Sequence, residues 1–207
     1  MVSEVLLAIP NIQAKNLANL TAFSNEGKGP TVELPLTMVH PEGIPQELTS
    51  YLVSLSKELE KGARFTFIVL AIYTHSLMAL PEEIIQADSQ LVVYQDSAYY
   101  LSPYAVKVQT LGIRLPGGRV ESYTKFPNGK LVESEIKYGP FENLPAFSYS
   151  PVVVHFENNH PFAVAHELLR EIEISHWGNV QVTEHYKLVH GGARNKGGFS
   201  RFFLFLL

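Results

Sequence analysis

Cysteine is missing from all 207 residues. Disulfides, thiolate nucleophiles, CxxC zinc ribbons and iron–sulfur ligation are therefore excluded. The compartment stays open, because a chain long enough to bury a sizeable core needs no disulfide even in an oxidising space. Charge is scarce too. Asp, Glu, Lys and Arg supply 17% of the residues, against about 25% in ordinary soluble domains. Sixteen basic and twenty acidic residues leave a net charge of −4. The basic excess of a nucleic-acid binder is absent, so no nucleic-acid partner is expected. Long hydrophobic runs are also missing. The longest, Phe65 to Leu80, is broken by Thr66, Thr74, His75 and Ser76 and falls short of the roughly 20 residues a spanning helix needs. The opening run Val5-Leu6-Leu7-Ala8-Ile9 follows Glu4 and stops at Pro10, unlike a secretory leader with its basic start. Hydrophobic residues nonetheless reach 46%, which argues against disorder. At roughly 150 residues per domain, the length allows one domain or part of a second.

What is present reads mostly as strands. Thr66 to Tyr73 is apolar on both alternating sets, as in a strand covered on both faces. Leu91 to Tyr94, Val106 to Leu115, Arg119 to Phe126 and Val152 to Phe156 follow. Pro103, Pro116-Gly117-Gly118, Pro127-Asn128-Gly129, Gly139-Pro140 and Pro151 punctuate them, as in a sandwich or barrel. Asn128-Gly129 suits a hairpin turn between Ser122–Phe126 and Lys130–Glu133, although Pro127 weakens it. Gln46 to Lys61 fits a helical face through Leu48, Tyr51, Leu52, Leu55 and Leu59. It also fits a strand through Tyr51, Val53 and Leu55, and period alone leaves both open. Glu167 to His190 reads as a hairpin turning at Gly178-Asn179.

Catalytic signals are weak. His155, His160 and His166 lack the spacing of a helical zinc pair. His166-Glu167-Leu168-Leu169-Arg170 begins like HExxH, but Arg170 cannot ligate a metal. No GxSxG elbow occurs. Gly191 to Gly198 has Gly198 where a phosphate loop needs Lys, so a flexible inter-strand loop is the better reading. The residues thus assign no catalytic position, no cofactor and no metal. Tyr99, Tyr100, Tyr104, Tyr123, Phe126, Tyr138, Phe141, Phe147 and Tyr149 form an aromatic-rich middle. Sandwich core is the preferred reading, and a sugar-binding face the alternative. Asn19-Leu20-Thr21 is a glycosylation sequon, making Asn19 a candidate acceptor if the chain reaches a secretory lumen.

Several longer strings carry a resemblance. They include Tyr73-Thr74-His75, Ser102-Pro103-Tyr104, Val120-Glu121-Ser122-Tyr123, Lys137-Tyr138-Gly139-Pro140-Phe141 and Val154-His155-Phe156-Glu157-Asn158-Asn159. Glu173-Ile174-Ser175-His176-Trp177-Gly178-Asn179, Lys187-Leu188-Val189-His190-Gly191-Gly192-Ala193 and Lys196-Gly197-Gly198-Phe199-Ser200-Arg201 follow in order. Together these resemble the ribophorin I family, subunit 1 of oligosaccharyltransferase, in the wording of its plant members. The resemblance implies an all-β chain. Residues 1–166 would be a first lumenal β-sandwich domain lacking its first strand. Residues 167–207 would open a second, ending in a non-family tail, Phe202 to Leu207. It resolves the ambiguous segment into strands Tyr51–Leu55 and Phe65–Tyr73 around a Lys61-Gly62 turn.

The resemblance also implies a role. The family is an accessory, non-catalytic part of the endoplasmic-reticulum complex that moves a lipid-linked oligosaccharide to Asn of Asn-x-Ser/Thr. Its partners are the other subunits, including the catalytic one, and nascent polypeptides. The expectation is a truncated piece of such a subunit with neither leader nor membrane helix. Two alternatives stand beside it. One is a free-standing sandwich binding carbohydrate or peptide. The other is a non-functional product with an aggregation-prone tail.

Overall fold

The computed structural model describes residues 2–25, 31–117 and 119–198. Gly118 of the Pro116-Gly117-Gly118 turn, Phe199-Ser200-Arg201 and the tail Phe202 to Leu207 lie outside the described residues. The elements in chain order are β1 (Val2–Pro10), α1 (Asn11–Ala14), β2 (Leu17–Ser24), β3 (Glu33–Leu34), β4 (Leu36–Val39), β5 (Leu48–Leu59), β6 (Phe67–Tyr73), β7 (Leu77–Ala79), β8 (Glu83–Ile84), β9 (Leu91–Ser97), β10 (Val106–Arg114), β11 (Val120–Tyr123), β12 (Lys130–Val132), β13 (Glu135–Leu144), β14 (Pro151–Glu157), β15 (Ala163–Ile174), β16 (Val180–His190) and β17 (Arg194–Asn195). Among the described residues the fold is all-β apart from the single turn of α1.

Two compact units form. The first takes the chain up to Leu77, with Tyr94–Leu115 and Tyr123–Val154. The second takes Met78–Val93, Pro116–Ser122 and the chain from His155 on. In the first unit, one sheet has the order β1-β5-β4 and another β3-β2-β6. Leu7 and Val53 from the first sheet meet Ala22 and Leu34 from the second in a buried cluster, flanked by Leu36, Tyr51, Phe65 and Phe67. This is sheet-on-sheet packing with an apolar middle layer. A third sheet in the same unit orders β10-β13-β12.

A four-stranded sheet has the order β11-β14-β9-β7. Val152, Val154 and Phe156 alternate buried along β14, the period-two signature of a half-covered strand. The second unit carries the β15-β16 pair and the short parallel pair β17-β8. Glu167 to His190 folds as expected. β15 and β16 pair antiparallel from Ala163↔His190 to Ile174↔Val180, and Gly178 at φ +82° makes the turn a side chain would strain. β15 already begins at Ala163.

The segment around Lys61-Gly62 is strand–turn–strand as expected, while two other local expectations change. β5 pairs with β1 and β4, and β6 pairs with β2, so the turn carries the chain from one sheet to the other. β5 is bonded along both edges, which outweighs the helical spacing of its leucines. β6 is not covered on both faces, because Ile68, Leu70 and Ile72 are each about half exposed. Across Asn128-Gly129 there is a turn, with the Gly129 amide donating to Phe126 O at 2.9 Å, but no hairpin. β12 pairs with β13, and β11 belongs to the sheet with β14.

Candidate functional site

Asn19 sits in the middle strand of the β3-β2-β6 sheet and is exposed. It pairs with Ile72, Thr21 with Leu70 and Phe23 with Ile68, and directly opposed residues share a face. The alternate set, Ala22 and Ser24 with Phe67, faces inward, where Ala22 is fully buried. The sequon's amide and hydroxyl therefore both belong to the outward face.

The aromatic-rich middle divides. Tyr99 packs edge-to-face on Phe141 at 4.9 Å, and Phe126 does the same with Tyr138 at 5.3 Å and Phe141 at 5.8 Å. Tyr138 is buried, and its hydroxyl donates to Thr124 O at 2.6 Å. Burial pushes that hydroxyl's pKa up, with Tyr123 adding to it. Tyr138 is core, as preferred from the sequence, and Tyr99, Phe126 and Phe141 pack around it half-buried. Tyr100, Tyr104 and Tyr149 are exposed, but two of them already have work to do. β1 is an edge strand, and its outward Leu6 amide donates to the Tyr104 hydroxyl at 3.0 Å. The Ala8 backbone amide bonds the Tyr100 hydroxyl oxygen. Desolvation there raises Tyr100 to about 12 against the pull of that amide, even though half of the residue's surface stays open.

Sequence reasoning missed a polar cluster around Asp96. Gln13 Nε2 donates to Asp96 Oδ1 at 2.7 Å, the Tyr94 hydroxyl to Oδ2 at 2.5 Å and the Ser97 amide to Oδ1 at 2.8 Å. Burial first, then the Asp96 carboxylate, pushes Tyr94 well above the usual tyrosine range. Each carboxylate oxygen is occupied by a donor from the chain itself, and the Gln13 bond ties α1 to β9. No local motif marks it, because Gln13 and Asp96 lie 83 positions apart.

In the second unit the histidines disperse. His155 Nε2 lies 2.8 Å from Leu80 O. The His160 backbone amide donates to Asn158 Oδ1 at 3.1 Å. His166 is the extra residue where the β15–β16 register shifts between Ala165 and Glu167. No group of three or more His, Asp or Glu gathers for a metal among the described residues. A shallow cavity of about 270 Å³ is lined by Pro116, Gly117, Glu157, Asn158, Asn159 and His160. Glu157 there accepts Asn159 Nδ2 at 2.6 Å. That bond and one from Ser89 hold its carboxyl below the usual range.

The glycine-rich run is docked rather than flexible. The buried Gln90 accepts the Ala193 amide at 2.8 Å and donates to Asn158 O at 2.8 Å. Arg194 and Asn195 then pair with Glu83 and Ile84. A Cβ on Gly192 would run into Gln90 Oε1 and lie 2.7 Å from the Phe162 ring, so only glycine lets the backbone pass this close.

The fold and site define a multi-sheet β module in which Asp96 and Gln90 serve as internal ties. Family comparison is more specific. The ribophorin I family model matches residues 1–205, and the chain belongs to that family. It is 52% identical over 204 residues to dolichyl-diphosphooligosaccharide–protein glycosyltransferase subunit 1A of Arabidopsis thaliana, covering 97% of this chain and 33% of that protein. Identity to subunit 1B of the same plant is 51% over 202 residues, covering 96% of this chain and 44% of the relative. To subunit 1 of Caenorhabditis elegans it is 39% over 200 residues, covering 33% of that protein. The chain thus spans between a third and a half of the length of these relatives.

Proposed function

We propose that this chain corresponds to part of an accessory, non-catalytic subunit of the oligosaccharyltransferase complex, on the lumenal side of the endoplasmic-reticulum membrane. Its partners are the other subunits, including the one that performs catalysis, and nascent polypeptides bearing Asn-x-Ser/Thr. Catalytic, cofactor and metal roles fall outside this chain. The observation that carries the reading is the family match along residues 1–205. The relatives, each named as subunit 1 of a dolichyl-diphosphooligosaccharide–protein glycosyltransferase, point the same way.

In this reading residues 1–166 form a first lumenal module and residues 167–207 open a second. The β15–β16 pair supports it. Leu168, Ile172 and Ile174 share a face with Tyr186, Val182 and Val180, and all six are exposed. The other face carries Glu167 with Lys187 and Glu171 with His185. A two-stranded ribbon whose largely apolar face is crossed by one ion pair, Arg170–Glu184, is marginal until further strands cover it.

The test is capture of the tagged chain from detergent-solubilised microsomes. The catalytic subunit and transferase activity should elute with it. A chain that elutes without transferase subunits and binds a glycan or peptide by itself would instead be a free-standing module. One that does neither would be a non-functional product.

A further inference from the structure

We propose that Asn19 carries an N-linked glycan whose inner sugars lie over the apolar stripe Ile68–Leu70–Ile72. The inference rests on the lumenal location proposed above. Asn19-Leu20-Thr21 is the one Asn-x-Ser/Thr tripeptide in the 207 residues. The structure gives it the geometry an acceptor needs. Residues i and i+2 of a strand project to the same side, and Asn19 is exposed on the face away from the sandwich core. β3 reaches only Ala22 and Phe23 of the same strand, so Asn19 stands clear of it.

The neighbours say what the sugar covers. Ile72 lies directly opposite Asn19, Leu70 opposite Thr21 and Ile68 opposite Phe23. The three β6 side chains are 47–50% exposed, on a strand that is the edge of its sheet among the described residues. A contiguous apolar stripe on an open edge invites pairing with another chain. A bulky, solubilising group anchored directly across from it shields both stripe and edge.

Import of the full chain behind a cleavable leader into microsomes tests the acceptor independently of where the chain resides. Wild type should gain one endoglycosidase-sensitive mobility shift. Asn19→Gln and Thr21→Ala should lose it, and Thr21→Ser should keep it. No shift, or a shift that survives Asn19→Gln, overturns the proposal. The covering role has its own readout. Enzymatic removal of the glycan should raise hydrophobic-dye binding, and Leu70→Ser with Ile72→Ser should suppress that rise. An unchanged dye signal means the sugar does not lie on the stripe. Mass analysis of the chain isolated from its own cells separates the two proposals. A chain resident in the endoplasmic reticulum with bare Asn19 overturns this one and leaves the functional reading standing. A chain isolated from the lumen with Asn19 glycosylated but free of transferase subunits does the reverse.

Discussion

The Tyr104 hydroxyl accepts the Leu6 backbone amide at 3.0 Å across 98 positions of sequence. A side chain here does what a neighbouring strand would do, and Tyr100 repeats the device at Ala8. Tyr104→Phe should lower stability by about 0.5–1.5 kcal/mol, the usual net worth of one hydrogen bond. The exposed setting puts the expected value near the lower end. The double variant with Tyr100→Phe should also self-associate, since it frees two edge amides. Urea denaturation and light scattering check both effects. An unchanged denaturation midpoint would show that the hydroxyl contributes nothing.

Gly192 should resist substitution while Gly198 tolerates it. A Cβ at Gly192 meets Gln90, the Phe162 ring and His190 Nε2, the last at 2.8 Å, whereas nothing lies within 4 Å of one at Gly198. Gly192→Ala should cost about 1–3 kcal/mol through overpacking, and Gly198→Ala a few tenths at most. Parallel thermal melts of the two variants decide the matter.

Two groups should give the chain opposite pH dependences. Glu135 bonds Lys137 Nζ at 3.1 Å and Arg114 Nε at 3.3 Å. The Lys137 bond chiefly holds its pKa below 4.5. Its contribution is therefore complete above that value and is lost as pH falls through the lower folded one. Tyr100 is raised from 10.0 to about 12, so its contribution is present below 10.0 and is lost as pH rises through about 12. Carbon-detected NMR of Glu135 and ultraviolet titration of tyrosinate in wild type against Tyr100→Phe measure the two. A Glu135 midpoint at or above 4.5 would contradict the ion-pair geometry.

Trp177, the single tryptophan, stands at the tip of the β15–β16 hairpin and is 92% exposed. The isolated chain should fluoresce like indole in water and be fully quenched by acrylamide. Loss of quenching on adding solubilised oligosaccharyltransferase would report contact at the tip. Blue-shifted emission from the isolated chain would contradict the exposed position.

Much of the strand content was legible because alternation reports faces. Glu167 to His190 is the clearest case, with its turn at a glycine of positive φ. Partner choice was not legible, because periodicity carries no information about edges. β5 and β6, and likewise β11 and β12, are neighbours in sequence joined by turns, and the second pair suited a hairpin. Their amides instead find β1, β4, β2, β14 and β13. The same limit hid the ties between Gln13 and Asp96, Tyr104 and Leu6, and Gln90 and Ala193. Each joins residues more than eighty positions apart, and no short motif can register that. The Asn19 sequon was visible as three letters, but its place opposite Ile72 required the register of β2 on β6.

Gln90 has a consequence for synthesis. Its side chain is buried, yet one of its bonds is to Ala193, 103 residues later. On the ribosome the first half of this clamp is complete long before the second exists. Contacts of such sequence separation slow folding, because loop closure must be met before they contribute. The second unit should therefore mature last, after the polypeptide through Ala193 has emerged. Until then Gln90 and the chain near Asn158 form the part most open to a chaperone.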